Sequence, residues 1–241
     1  MTSFDFHIHS GLSACAEKTM SPRQILLQAS KAGLDLISIT DHNSSANVKT
    51  AMDLASEIGI TVVPGIEVSS VEEVHIIALF EEYGSLAEFQ KIIDENMPEA
   101  ENPTDIFGYQ LVYDCNDEII DTDDKLRQIG TNLGVDMILS EVRRLGGYSI
   151  PAHVYRYKFS LISQLGFIAP GSDFDALEIG SSQWKKEKFK IGMKIEGYPV
   201  ITGSDAHFIE DVGRTSLNLE SSEKIKSPGE ILRLIARLQP G

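Results

Sequence analysis

The sequence predicts an α/β fold closing into an irregular barrel, and three observations lead there. Strand-like and helix-like runs alternate almost from end to end. Several strand runs are short and apolar throughout, as in buried parallel sheets. All six histidines fall at the ends of strand runs. Repeated strand–helix units imply parallel strands with right-handed crossovers. About seven such units suit a barrel, whose strand ends converge on one mouth. Residues 200 positions apart could share a site there.

The elements follow in order. Residues 4–9 read as a strand. Ser21 and Pro22 then open a helix, with Ser at the N-cap, Pro at the first helical position and Gln24 placed for a capping box; Gly33 ends it. A buried strand is expected over 34–40, a helix over 46–58 ending at Gly59, and strands over 61–63 and 74–80. A helix follows over 85–96. The acidic stretch 97–135 breaks the alternation and reads as an inserted subdomain or lid loop within one domain spanning 1–241. The rhythm resumes with a helix over 136–145, strands over 148–152 and 176–179, a helix over 184–195 and a strand over 199–202. Ser227, Pro228 and Glu230 open the last helix with a second capping box.

Composition narrows the function classes. The chain has 241 residues, 42% hydrophobic and 24% charged, ordinary for a soluble globular protein. Its net charge of −15 repels phosphate backbones, which argues against general coating of DNA or RNA. It leaves room for a nucleotide drawn in by local metal charge. Two cysteines, Cys15 and Cys115, make no disulfide framework. The N-terminus has no basic region followed by an apolar stretch, and no run reaches membrane-spanning length. A cytoplasmic protein is expected, of undetermined oligomeric state.

The histidines carry the chemistry. His7 and His9 alternate on a strand, so both imidazoles point to one face. Asp5 shares that face and is expected to orient an imidazole. In Thr40-Asp41-His42, His42 is a candidate ligand, while Asp41 or Asn43 could cap the next helix. Glu67 lies among apolar and small residues; a buried Glu needs a partner such as a metal, and one carboxylate can bridge two ions. His75 and His153 follow apolar residues and, taken singly, read as core histidines. Asp205 and His207 close the last barrel strand with two ligand types. Arg156, three residues after His153, is placed for bidentate phosphate binding, with Lys158 nearby. Trp184, beside Lys185 and Lys186, reads as a helix face rather than a base-stacking platform.

The ordered set Asp-x-His-x-His, Thr-Asp-His-Asn, Pro-Gly-x-Glu, Glu-Val-His, Pro-Ala-His and Gly-Ser-Asp-Ala-His resembles the PHP family, named for its polymerase and histidinol phosphatase members. The match spans residues 5 to 207. The resemblance implies a distorted seven-stranded β/α, TIM-like barrel, two or three divalent ions (zinc, manganese or iron) and phosphoester hydrolysis. The most similar subgroup is the stand-alone phosphoesterases resembling the trp-operon-linked members. Those act on nucleotide 3′,5′-bisphosphates or remove nucleotides from RNA 5′ ends.

Carried over by position, His7 and His9 would hold a first metal with Glu67 and Asp205. Glu67 would bridge to a second held by His75 and His153, and His42 and His207 would hold a third. The family's further ligand to that third ion, an Asp or His soon after His-x-His, is missing; Glu17 or Cys15 would replace it. A water between two ions would lose its proton near neutral pH and attack phosphorus. Arg156 would hold phosphate oxygens, and His207 or a metal-bound water would protonate the leaving group. The implied substrate is a phosphorylated small molecule, a nucleotide or a short oligonucleotide. A histidinol-phosphatase-like enzyme is the alternative, followed by a metal-binding regulatory module without turnover.

Overall fold

The computed structural model describes residues 1–169, 171–220, 225 and 227–238. Along these the chain runs β1 (Thr2–Ile8), α1 (Pro22–Lys31), β2 (Leu36–Ile39), α2 (Val48–Ile58), β3 (Thr61–Val62), β4 (Gly65–Ser69), β5 (His75–Leu79), α3 (Tyr83–Asn96), β6 (Leu111–Tyr113), β7 (Ile119–Thr122), α4 (Val135–Arg144), β8 (Tyr148–Pro151), α5 (Leu161–Leu165), β9 (Leu177–Glu178), α6 (Ser181–Lys186), β10 (Lys194–Ile195), β11 (Tyr198–Ile201), β12 (Leu217–Leu219) and α7 (Pro228–Arg237). Helix starts follow the chemistry of their caps. The Ser21 hydroxyl accepts from the Gln24 N–H at 3.3 Å, and Ser227 accepts from the Glu230 N–H at 3.4 Å. Both expected capping boxes are only half formed: Glu230 makes no return bond to Ser227, and the Gln24 amide donates to Asp117 at 2.9 Å instead of turning back.

The strands do not close into one continuous barrel. Among the described residues they form four ladders, ordered β12-β1-β2-β3, β10-β11-β9, β4-β5-β8 and β6-β7. The expectation of parallel pairing holds for β1-β2-β3 and β9-β11, whereas β4, β5 and β8 pair antiparallel. The reason lies in connection length: residues 70–74 join β4 to β5, too short for a crossover, so the pair is a hairpin. Single parallel bridges, Ile8 to Ala206 and His42 to Glu67, link the ladders around the site.

Burial on both faces explains the apolar strands. In β5, Ile76 and Ala78 enter one hydrophobic cluster while Ile77 and Leu79 enter another. The expected helix over 184–195 is shorter: α6 stops at Lys186 and β10 takes up 194–195. The acidic stretch 97–135 carries the β6–β7 hairpin and seats against loops near the histidines. Asn43 donates to the carbonyls of Arg127 and Ile129, each at 2.9 Å, and Leu111 N–H donates to the Gly11 carbonyl at 2.8 Å. The buried Arg127 guanidinium pairs with Asp94 at 2.6 Å and Asp123 at 2.8 Å.

Candidate active site

Strand β1 buries His7 and His9 completely and aims both at one point, with their Nε2 atoms 3.2 Å apart. Glu67, in the middle of β4 and equally buried, sits at the centre of the cluster. Its Oε1 lies 3.3 Å from His7 Nε2, 3.1 Å from His75 Nδ1 and 3.5 Å from His153 Nε2. Its Oε2 lies 2.9 Å from His42 Nδ1 and 3.5 Å from His9 Nε2. Asp205 Oδ1 is 3.4 Å from His7 Nε2 and 3.3 Å from His9 Nε2. His207 packs its ring 4.3 Å from that of His9. His75 opens its strand rather than closing it; β5 is antiparallel to β4 and β8, so its first residue reaches the same mouth as their ends.

The donor set fits divalent cations. Three groups place ligand atoms within 4.8 Å of one another: His7, His9 and Glu67; His42, Glu67 and His75; His9, His42 and His207. His42 Nδ1, Glu67 Oε2 and both ring nitrogens of His153 are buried without a hydrogen-bond partner. The His42–Glu67 approach is close but lacks hydrogen-bond geometry. Orphaned buried polar atoms are costly, and imidazole and carboxylate donors facing one another are what a zinc, manganese or iron ion would satisfy.

The electrostatics agree. Burial alone would raise Glu67, but His75, His7 and His42 around it hold it well below the usual carboxylate range. Burial is likewise outweighed at Asp205 by His7 and His9, which push it well down. Burial would lower His7, yet Glu178, Glu67 and Asp205 hold it well above the ordinary imidazole value. His9 goes the other way: burial, then the neighbouring His207 and His42, drive it well down. The backbone is strained at the same place, with His153 at φ 33° and Asp205 at φ 50°. Left-handed backbone at non-glycine residues costs on the order of 1–3 kcal/mol each and clusters at functional sites.

Residues behind the cluster set its geometry. Glu178, which sequence reasoning missed, meets His7 Nδ1 at 3.0 Å and accepts from the His153 N–H at 2.9 Å. Its signal was a lone carboxylate inside the apolar run 176–179. Ser13 Oγ lies 3.0 Å from His9 Nδ1 and is anchored to Asp41 at 2.7 Å. Asp5 was expected to orient an imidazole; it accepts instead from the N–H groups of His7, Ser204 and Gly213 at 3.3, 3.0 and 3.3 Å, tying strand ends together. Neither Asp41 nor Asn43 caps α2, whose N-cap is Asn47; Asp41 holds Ser10 and Ser13, and Asn43 braces the 97–135 stretch.

Glu17 does not reach the cluster: it is exposed, and its carboxylate accepts from the Thr19 hydroxyl at 3.1 Å. Cys15 lines the cavity over the cluster, with its thiol against His207 and His42. Arg156 lies at the mouth, 3.0 Å from Asp205 Oδ2, lining both a 270 Å³ cavity over the cluster and an adjoining 370 Å³ cavity. Lys158 is exposed and lines neither of these cavities. Trp184 stacks on Phe189 at 5.8 Å and packs against the core, as a helix face. No described helix is long and apolar enough to cross a membrane.

The chain is similar to known proteins in sequence and in fold. The PHP domain matches residues 5–134 of the 241, and the PHP-associated family matches residues 194–240. A phosphoribosyl 1,2-cyclic phosphate 1,2-diphosphodiesterase from Eggerthella lenta is 34% identical over 88 residues, covering 34% of this chain and 32% of that protein. A 5'-3' exoribonuclease from Haemophilus influenzae is 30% identical over 79 residues, 32% of this chain and 28% of that one. The matches thus span about a third or less of these relatives' lengths. A lesion-specific endonuclease from Pyrococcus furiosus has a similar fold, with a TM-score of 0.64 at 19% identity over 98% of this chain and 56% of that one. With more than half of the chain matched, from the first strand through the 97–135 stretch, the protein belongs to the PHP domain family.

Proposed function

We propose that this protein is a metal-dependent phosphoesterase acting on a nucleotide or an RNA or oligonucleotide end. The observation that carries the reading is Glu67: a fully buried carboxylate ringed by five imidazoles, with Oε2 left unpartnered. His7, His9 and Asp205 would hold one ion, His75 and His153 a second, with Glu67 between them; His42 and His207 would contribute to a third. Divalent ions in such a site act as Lewis acids and make a water nucleophilic at neutral pH. Arg156, half exposed at the mouth, would orient a phosphate and offset charge developing on its oxygens. His207, whose Nδ1 is turned to the Asp205 carbonyl at 2.8 Å, would keep its Nε2 for that third ion, which would offset charge on the leaving oxygen.

Two features support a nucleotide-sized substrate. The 370 Å³ cavity adjoins the cluster through His153, Arg156 and Asp205 and is lined by Tyr155, Tyr157 and Gln183. The two matched relatives act, by name, on a cyclic phosphodiester and on RNA. The site reads as the mouth of an opened seven-stranded barrel made of β1, β2, β4, β5, β8, β9 and β11, the whole chain forming one domain with 97–135 inserted. A hydrolysis screen with manganese tests the function, using nucleotide bisphosphates, short 5′-phosphorylated RNA and histidinol phosphate. Turnover of the nucleotide substrates is expected; activity on histidinol phosphate alone, or on none, would overturn the reading.

A further inference from the structure

We propose that Cys15, with His42 and His207, forms a sulfur-containing metal subsite beside the Glu67 cluster. The inference rests on the metal-dependent reading above and goes beyond it in assigning a thiolate ligand. Three observations meet. Cys15, His42 and His207 line the same 270 Å³ cavity, and the thiol lies against both imidazoles. His42 is nine-tenths buried and its Nδ1, 2.9 Å from Glu67 Oε2, makes no hydrogen bond, while His9, His42 and His207 offer ligand atoms within 4.8 Å of one another. Short contacts hold the Cys15 loop in place: Ala16 N–H donates to the Ser13 carbonyl at 2.8 Å and Glu17 N–H to the His207 carbonyl at 2.9 Å.

A thiolate changes what the subsite prefers. Sulfur with imidazole favours zinc or another soft first-row ion, whereas an all-oxygen-and-nitrogen site is also open to manganese. Cys15 is exposed at the cavity, so the same sulfur is open to alkylation when no ion covers it. The other cysteine, Cys115, packs against the core away from the cluster and serves as an internal control.

The test is a cobalt(II) titration of the full chain, followed by calorimetry and by thiolate-to-cobalt charge-transfer absorption. The band should appear in the wild type, in Glu17→Gln and in Cys115→Ser. Cys15→Ser should lose it and bind one ion about tenfold or more weakly, by analogy with the loss of supporting groups at metal sites. Cys15→Asp should bind the full complement without the band. Mapping alkylation by mass spectrometry on the unmutated chain gives a second readout: zinc should protect Cys15, even if the variants fold poorly. Cobalt bound without a band, a band surviving in Cys15→Ser or lost in Glu17→Gln, or zinc failing to protect Cys15, overturns the thiolate subsite alone. No cobalt bound by the wild type overturns the metal-dependent phosphoesterase reading with it.

Discussion

Glu178 braces His7 from behind: its Oε2 and Oε1 lie 3.0 and 3.1 Å from His7 Nδ1, which turns Nε2 toward Glu67 and Asp205 at 3.3 and 3.4 Å. A proton on Nδ1 leaves the Nε2 lone pair for an ion. The same carboxylate takes the His153 N–H, so one side chain positions two candidate ligands. Glu178→Gln keeps the shape but removes the charge. Metal affinity is expected to fall about 10- to 100-fold with an unchanged far-ultraviolet circular dichroism spectrum. Unaltered affinity on titration would reduce Glu178 to a packing role.

His9→Ala and Asp205→Ala each remove a donor from the most crowded part of the cluster. Both variants should lose turnover yet unfold near the wild-type denaturant midpoint, since each deletes a site group rather than a core hydrophobe. Either variant turning over at close to the wild-type rate would place the chemistry elsewhere.

Arg156→Ala tests the phosphate contact. The guanidinium is half exposed, so the loss should sit at the low end for charge-assisted contacts, roughly 2 kcal/mol or about 30-fold in kcat/KM. Metal content should not change. Arg156→Lys should restore only part of the loss, because an ammonium lacks the planar fork. A change below twofold in both variants would mean that the guanidinium is a solvated charge.

Metal uptake should release protons. Although burial lowers both groups, the carboxylates around His7 raise it well above its ordinary value, and Glu67 and Cys15 raise His42 to about 10. Without an ion the His42 imidazole therefore carries a second proton at neutral pH, and a ligand must shed it. Affinity should accordingly rise with pH through the neutral range. Calorimetry in two buffers of different ionisation enthalpy measures the release; a binding heat independent of buffer would contradict it.

Much of the site was legible because ligand chemistry uses few residue types. Every histidine singled out in the sequence lies in or beside the cluster around Glu67, and their strand-end spacing was the visible signal. The residues that orient them were harder to see. Glu178 and Ser13 reach His7 and His9 from 171 and 4 positions away, and a lone Glu or Ser carries no pattern of its own. Asp5 shows the opposite error: its alternation with His7 put it on the right face, but backbone N–H groups claimed its oxygens first.

The sequence by itself determined the alternation of elements, the helix caps at Ser21 and Ser227 and the set of side chains able to hold metal, because periodicity, capping and ligand type are local properties. Only the tertiary structure decided pairing and choice between neighbours. The short 70–74 link turned β4 and β5 into an antiparallel hairpin, which brought His75 to the mouth from the start of its strand. The fold of the 10–17 loop onto the Ala206–His207 segment turned Cys15 inward and Glu17 outward. Two candidates two residues apart are equivalent in sequence; which one faces the site depends on backbone direction, and contacts nearly 200 residues away set that direction.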